Sequence, residues 1–545
     1  MAGHDTHEVF NQSPPYVDVD LYATDLPLRE AIAANGSTEP ASVLSAFGRR
    51  WGSADMMEQG RRANECPPRL KAFDPKGRRL DIVEFHPAYH RVMAESMGSG
   101  LHCMTWRSDG TRAPAPSEVA RAARYYMVAQ IENGHMCPVT MTRAAVGALA
   151  TDPALLATLM PKIMVHEYDP RFRPWPDKVS ITIGMGMTEK QGGTDVRANI
   201  TRAVSADGAY AITGHKWFMS APMCDAFLVL AQAQGGLTCF VMPRFRPDGS
   251  VNGLEFQRLK DKLGNKSNAS SEVEFVDAYA QRLGAEGAGV RTIIEMVQLT
   301  RLDCAVTSAG MMRMALAQAV HHARYRTAFQ RKLIDQPMMR AVLADLAVTV
   351  EGAVALAMRL CRAFDLAAHD PAEAAYARLM TAVVKYWICK RAPAFIYEAM
   401  ECLGGNGYVE ESMLPRLYRE APVNAIWEGS GNVMCLDVLR ALSRERDAAH
   451  EVLSRIAERA NGLPGVAEAM TDVQRVLASP AAEAHARFAV ERLASVAAIA
   501  ALRGHAPAEV TESFAVSQFG PRGSTFGSIG APVADRVLER ALPAP

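Results

Sequence analysis

Three short stretches of this 545-residue chain hold side chains that could act on a ligand. In residues 426–432, IWEGSGN, a carboxylate stands between an aromatic residue and a Gly-Ser-Gly loop. Desolvation raises a carboxyl pKa, which suits Glu428 to act as general base on a weak carbon acid. The same residues fit a loop glutamate ahead of a helix, with Ser430 or Asn432 as N-cap. Residues 185–196, MGMTEKQGGTDV, leave a strand and enter a loop with two adjacent glycines and two threonines. Such a backbone can approach a ligand closely, and its amides can cradle an anion or the polar edge of a ring; a plain β-turn loop fits equally well. Residues 214–222, GHKWFMSAP, set two aromatics beside a small hydroxyl. Taken alone these read as core.

The elements that must position these stretches change texture along the chain. Residues 1–178 read as helices with long loops. An Ala-rich stretch at 118–150 has Ala123, Met127, Ile131 and Gly134 on one face, and a Pro-rich break follows at 170–176. Residues 179–285 hold short apolar or alternating runs separated by Gly, Asp, Pro and Asn, which predicts a compact antiparallel barrel or sandwich. Residues 286–442 return to helix, with long segments expected at 290–327, 336–368 and 371–403, the last opened by Pro371 after Asp370. Three such helices in series imply a bundle. Residues 443–545 are Ala-rich and helical, ending in a Gly/Ser/Pro-rich tail. A small β-module between helical ones is therefore expected, in four domains: 1–178, 179–285, 286–442 and 443–545.

Composition narrows the classes further. Basic and acidic residues balance at 59 each, so no global field favours nucleic acid or a membrane surface. Ten cysteines are scattered without a CxxC pair, and His86 and His90 have no third ligand at a persuasive spacing, so no metal site is expected. No strand–GxGxxG–helix unit occurs, which leaves a Rossmann cofactor site unsupported. The first ten residues have neither a basic nor an apolar signal region, and apolar runs such as 179–187 are too short or too broken to span a bilayer. A cytoplasmic location without a membrane partner is expected.

Taken together and in order, these stretches resemble the acyl-CoA dehydrogenase family. TEKQGGTDV is similar to that family's TEPxAGSD flavin loop and GHKWFMS to its GxKxWIT segment. GGNGY is similar to its GGxG turn, LYREAPVNAIWEGSGN to its segment from an arginine to the catalytic glutamate, and Arg326 with Phe329 to its R-x-x-F motif. GMGMTEKQGG, RLKDKLGNKSNAS, PRLYRE and IWEGSGNVMCLDVLR are closer still to the family's alkylation-response branch, as are VFNQ near residue 10 and the GRRLD and FHPAYH segments. The likeness is weakest after residue 443.

The resemblance implies an α+β multidomain fold: an N-terminal helical domain, a small β-barrel and a C-terminal four-helix bundle, plus here an extra C-terminal helical domain. It implies FAD between barrel and bundle, and a homotetramer built as a dimer of dimers. Thr188 would hydrogen-bond the isoalloxazine, with Met187 and neighbouring backbone at its pyrimidine edge; Met185 and Gly193 count among the cofactor-binding positions. Thr194 would meet the pyrophosphate, Phe218 cover the flavin and Ser220 stand near N5. Ser430 and Asn432 would touch FAD, and Arg326 and Phe329 the FAD of a partner subunit. Glu401 stands where the family often has Gln. Glu428 would remove the α-proton of an acyl-CoA thioester while hydride leaves the β-carbon, the flavin carrying the redox chemistry. Some branches place the base on a bundle helix; here that position is Thr300, beside Arg301 as a substrate residue, with Gln298 close by.

The same branch suggests a second reading, an alkylation-response flavoprotein that binds double-stranded DNA or destroys alkylating agents with little acyl-CoA turnover. DNA binding needs a positive surface. Residues 443–545 hold eleven arginines, no lysine and twelve acidic residues, a net charge of −1. Arg440, Arg444 and Arg446 form the best basic patch, and it fits equally a cationic cluster opposing a helix dipole.

Overall fold

The computed structural model describes residues 7–521, 526 and 535–543, so part of the Gly/Ser/Pro-rich tail expected at 518–532 lies outside the described residues. The chain forms two compact units: Asp55–Ser117 with Glu132–Asp303, and Met1–Ala54 with Glu118–Ile131 and Cys304–Pro545.

The first of these units is built on a seven-stranded sheet in the order Ile183–Gly186, Ala209–Ser220, Arg202–Ala206, Ala226–Ala233, Gly236–Pro243, Ser270–Leu283 and Leu254–Leu259. Ala209–Ser220 also pairs with Ser270–Leu283, and Ile183–Gly186 with Ala226–Ala233, so the sheet curls back on itself as a small barrel. Ala226–Ala233 and Gly236–Pro243 are buried along nearly their whole length, which explains their continuous apolar runs. Asp207 and Gly208, both at positive φ, make the two-residue turn that a DG pair favours between twisted strands. Strands Arg202–Ala206 and Leu254–Leu259 are short and partly exposed and were not among the expected runs. Nor was the antiparallel hairpin Arg69–Phe73 with Arg79–Glu84, which interrupts a region expected to be helical.

The Ala-rich stretch at 118–150 is two helices, Ser117–Ala129 and Met136–Leu149. Glu132 makes the break between them. One carboxylate oxygen accepts from the Gly134 amide, Asn64 Nδ2 and Ser267 Oγ at 2.9, 2.9 and 2.6 Å. The other accepts from the His135 amide at 3.0 Å and His135 Nδ1 at 2.5 Å, and His135 Nε2 lies 2.8 Å from Ser96 Oγ. The side chain thus satisfies amides at the second helix's N-terminus that have no partner inside the helix. Gly134 is needed because a Cβ there would stand 1.8 Å from Ser267 Oγ. A capping carboxylate of this kind leaves no mark on helical periodicity.

The other unit holds the bundle: the second part of Gly289–Tyr325, then Pro337–Leu366, Pro371–Glu401 and Gly431–Arg444. Asp370 caps the third helix through the Ala372 amide, as the Asp-Pro pair predicts. Pro337–Leu366 is long and apolar enough to cross a membrane by composition, and 89% of its most apolar window is buried in the fold. The C-terminal helices Arg446–Ala460, Val466–Ala478, Ala482–Leu502 and Ala508–Phe519 belong to the same unit, and Ala482–Leu502 packs on the second and third bundle helices. Phe514 fits against Gly352, where a Cβ would come within 2.3 Å of its ring, and Ser517 Oγ donates to Asp345 at 2.7 Å. The last helix, Asp535–Ala541, is pinned by Arg540, which donates to Glu351 at 2.7 Å and Glu30 at 2.8 Å.

Burial opposes the charge on Glu132, but its bonds to His135 and Ser267 outweigh it and hold the carboxyl well below the usual carboxylate range. A depressed folded pKa gives stability that is present above the unfolded value and lost as pH falls below it. Glu132→Gln should therefore lower the unfolding free energy by about 3–5 kcal/mol near neutral pH, because buried donors lose their anion. Denaturant melts at pH 7 and pH 4 check this: the deficit should shrink on acidification.

Candidate active site

The loop after Ile183–Gly186 is shaped by one buried carboxylate. Glu189 accepts from Lys216 Nζ at 2.8 Å, the Ile200 amide at 2.8 Å and Gln191 Nε2 at 2.8 Å, with the Thr201 amide at 3.3 Å. Lys216 also donates to the Leu230 carbonyl at 2.8 Å. Both side chains are fully buried. Burial works against the charge on Glu189, yet its bond to the Lys216 ammonium and the converging amides hold the carboxyl down to about 2. Gly193 closes the loop onto Thr188, since a Cβ there would lie 2.2 Å from Thr188 Oγ1.

The Trp217 amide donates to the Thr188 carbonyl at 2.8 Å. Strand Ala209–Ser220 can spare that amide because its register against Ser270–Leu283 slips between Lys216 and Met219. Such a bulge re-aims side chains at a sheet's functional edge. Phe218 is left 47% exposed, with Lys260 Nζ 4.7 Å from its ring centre and 3.3 Å from that of Trp217. Ser220 Oγ is 3.1 Å from Ser270 Oγ. Asn199 Nδ2 donates to the Met187 carbonyl at 3.0 Å. Met185 and Thr188 are half-buried and Thr194 is exposed.

In the other unit, Glu428 sits between helices Leu414–Asn424 and Gly431–Arg444. Its backbone is left-handed, φ +59°, and Gly429 follows at +105°. A non-glycine residue there is strained, which is common where a side chain is aimed for function. Lys385, buried on the third bundle helix, donates to the carbonyls on both sides of Glu428: Trp427 at 2.9 Å and Gly429 at 2.8 Å. Trp427 Nε1 donates to Asn424 Oδ1 at 3.0 Å, and Asn424 Nδ2 to Ser308 Oγ at 3.2 Å. The main chain is thus fixed while the carboxylate stays half-buried. Ser430 occupies the N-cap of Gly431–Arg444 without a side-chain cap bond, so the capping alternative is met in position only. Asn432 Oδ1 accepts from Arg487 Nε of the C-terminal helices at 2.8 Å.

Arg326 and Phe329 stand at a separate hairpin, Thr327–Ala328 with Arg331–Lys332. Arg326 donates to the Asn11 carbonyl at 2.7 Å, and Phe329, at the tip with φ +50°, is 93% exposed. Arg301 is buried on Gly289–Tyr325, beside Thr300, whose hydroxyl donates to the Val297 carbonyl at 3.0 Å. Gln298 Oε1 on the same helix is buried without a hydrogen-bond partner among the described residues. Within each unit the motif residues converge: Thr188, Gly193 and the 217–218 bulge in one, Glu428 and Ser430 in the other. Sequence reasoning quoted Glu189 and Lys216 inside its motifs without a role for either. Asn424 likewise stood in a quoted motif without a role, and Lys385 was missed, since a lysine within a long helix carries no local signal.

The family model for the AidB N-terminal domain matches residues 11–170, that for the acyl-CoA dehydrogenase middle domain residues 184–278, and that for the acyl-CoA dehydrogenase C-terminal domain residues 287–443. AidB of Escherichia coli K12 is 50% identical over 442 residues, 81% of each chain. The chain belongs to the acyl-CoA dehydrogenase family. Acyl-CoA dehydrogenase family member 11 of Caenorhabditis elegans is 32% identical over 79% of this chain and 70% of its own. The crystal structure of Caenorhabditis elegans ACDH-11 in complex with C11-CoA superposes with a TM-score of 0.84 at 27% identity, over 95% of both chains. A Bacillus anthracis acyl-CoA dehydrogenase complexed with FAD shares the fold, with a TM-score of 0.65 at 16% identity over 79% of this chain and 80% of that one. The expected architecture is therefore observed: helical N-terminal and C-terminal regions and a curled, mostly antiparallel sheet, with extra C-terminal helices. Members of the acyl-CoA dehydrogenase family are FAD-binding oxidoreductases. The residues present fit a flavin: a loop that Gly193 lets pack tightly against Thr188 and a half-exposed aromatic face at Phe218, with small hydroxyls beside them.

Two measurements check this geometry. Glu428→Gly should be more stable than Glu428→Ala by about 1 kcal/mol, since only glycine takes the left-handed region without steric cost. Glu189 contributes stability above the usual glutamate pKa that is lost as pH falls from 4.5 towards 2. Glu189→Gln should remove that acid-sensitive contribution, on the order of 3 kcal/mol, and flatten the stability profile between pH 5 and pH 2.

Proposed function

We propose that this chain is an FAD-dependent acyl-CoA dehydrogenase that forms an α,β double bond in an acyl-CoA thioester, with Glu428 as base. The observation that carries the reading is the Glu428 loop: a strained carboxylate-bearing residue whose flanking carbonyls are both tied to buried Lys385. FAD would supply the hydride acceptor. Glu428 would take the α-proton on a carboxylate oxygen as the Cβ–H bond breaks, so proton and hydride leave together as the double bond forms. No acidic residue stands at position 300 to compete for that role.

Thr188, with Met185, Met187 and Gly193, would meet the isoalloxazine; Thr194 the pyrophosphate; and Phe218 and Ser220 the ring face and N5 side. Ser430 and Asn432 would reach the cofactor from the helix after Glu428, Asn432 through the amide nitrogen that Arg487 does not engage. The bare Phe329 ring supports a contact with a neighbouring subunit's FAD, as a homotetramer built as a dimer of dimers would provide. Arg301 and Gln298 would face the thioester. The unpartnered Gln298 carbonyl oxygen can accept from an N–H or O–H, and the Caenorhabditis elegans relative was solved with C11-CoA. The acyl group is left to the assay, and a cytoplasmic location goes with this soluble substrate.

A second reading has support in the AidB N-terminal domain match and in Arg440, Arg444 and Arg446, which are exposed while the neighbouring Glu445 lies 3.6 Å from Arg378. It would make the chain an alkylation-response flavoprotein that binds double-stranded DNA. A duplex shift at low salt, lost when Arg440 and Arg444 become Ala, would favour it; no shift by the wild type would end it.

The dehydrogenase reading is tested by anaerobic absorbance spectra with a panel of short, medium and branched acyl-CoAs. One thioester should bleach the flavin bands. Glu428→Gln should keep the flavin spectrum but slow bleaching by roughly 10²–10⁴-fold, the usual contribution of a general base. Unchanged bleaching in the variant would refute the assignment of the base.

A further inference from the structure

A cavity of about 520 Å³ opens where the C-terminal helices meet the bundle, walled by Pro337–Leu366, the start of Pro371–Glu401, Arg446–Ala460 and the end of Ala482–Leu502. None of these helices carries Glu428. The volume falls in the range of small-molecule sites. Its floor is apolar because Ala497, Ala500 and Ala501 share one face of Ala482–Leu502 and are too small to fill the space against Tyr376 and Ile456.

Four arginines line the same cavity, and they divide into two kinds. Arg359 is committed: it forks onto Glu373 at 2.8 and 3.1 Å and stacks 4.0 Å over Tyr376. Arg455 is paired with Glu451 at 2.6 Å. Arg362 and Arg459 make no ion pair among the described residues, the two glutamates of the lining being engaged by Arg359 and Arg455. Arg362 reaches only the Ala34 carbonyl, at 3.4 Å. Arg459 lays its guanidinium against Gly504, where a Cβ would stand 2.3 Å from Nη2, so the glycine makes its room. Two uncommitted guanidinium groups at the mouth of a small apolar hollow have one chemical complement: an anionic head on a short apolar body. A guanidinium fork matches a planar carboxylate in two parallel hydrogen bonds.

We propose that this cavity is a binding site for an amphipathic carboxylate of the medium-chain fatty-acid class, held by Arg362 and Arg459 over the alanine floor. It is separate from the Glu428 site and holds whether or not the chain turns over acyl-CoA. The probe is sodium decanoate, titrated calorimetrically into the full-length flavin-loaded protein. One saturable site per chain is expected. Arg362→Glu and Arg459→Glu should each weaken binding by at least about 10-fold, the scale of a lost charge-assisted hydrogen bond. Both side chains are exposed, so folding is not at stake. Ala500→Phe should abolish binding by filling the floor, decanol should bind more weakly than decanoate, and Glu428→Gln should bind as the wild type does. No saturable heat, wild-type affinity in both arginine variants, or loss of binding in Glu428→Gln would overturn the proposal, the last by placing decanoate at the Glu428 site.

Discussion

The placement of Glu428 depends on a single buried ammonium. The chain must turn from one helix into the next around this residue, and a turn leaves carbonyls that no helix can satisfy. Lys385 takes the two on either side, which in turn satisfies a cation that burial alone would penalise. Because Lys385 lies in the middle of Pro371–Glu401, the packing of that helix sets the loop's path. Asn424 adds a second tether, linking Trp427 to Ser308 on the long helix. These bonds hold the left-handed backbone at Glu428 in place against its steric cost.

The barrel solves a similar problem with an ion pair. Glu189 and Lys216 join the glycine loop, the bulged strand Ala209–Ser220 and, through Leu230, strand Ala226–Ala233. A fully buried pair adds little net stability compared with apolar residues, since desolvation consumes much of the attraction. Removing one partner is costly, and that asymmetry keeps the loop in one arrangement. The bulge at Trp217 and Phe218 then spends an amide on the Thr188 carbonyl and leaves an aromatic face uncovered.

The C-terminal helices follow a different logic. They are Ala-rich, so they approach the bundle closely, and glycine at 352 admits the Phe514 ring. Where three alanines face one way the approach is incomplete and a hollow remains. Polar ties close the end of the chain: Arg540 to Glu351 and Glu30, and Arg313 and Arg324 to the carbonyls of Ala541 and Leu542. These join residues far apart in sequence and so contribute to one cooperative unit rather than a loose appendage.

The sequence by itself determined the three long bundle helices, the barrel's apolar strands and the order of the motifs, because periodicity and turn residues are local properties. It also marked Glu428, through its aromatic and glycine neighbours. It did not reveal the break at Glu132, the hairpin at 69–84, the short strands at 202–206 and 254–259, or the roles of Lys216 and Lys385. Those were decided by tertiary structure. A capping carboxylate, an edge strand and a buried lysine each take their meaning from a partner tens to hundreds of residues away, and only the folded chain brings the two together.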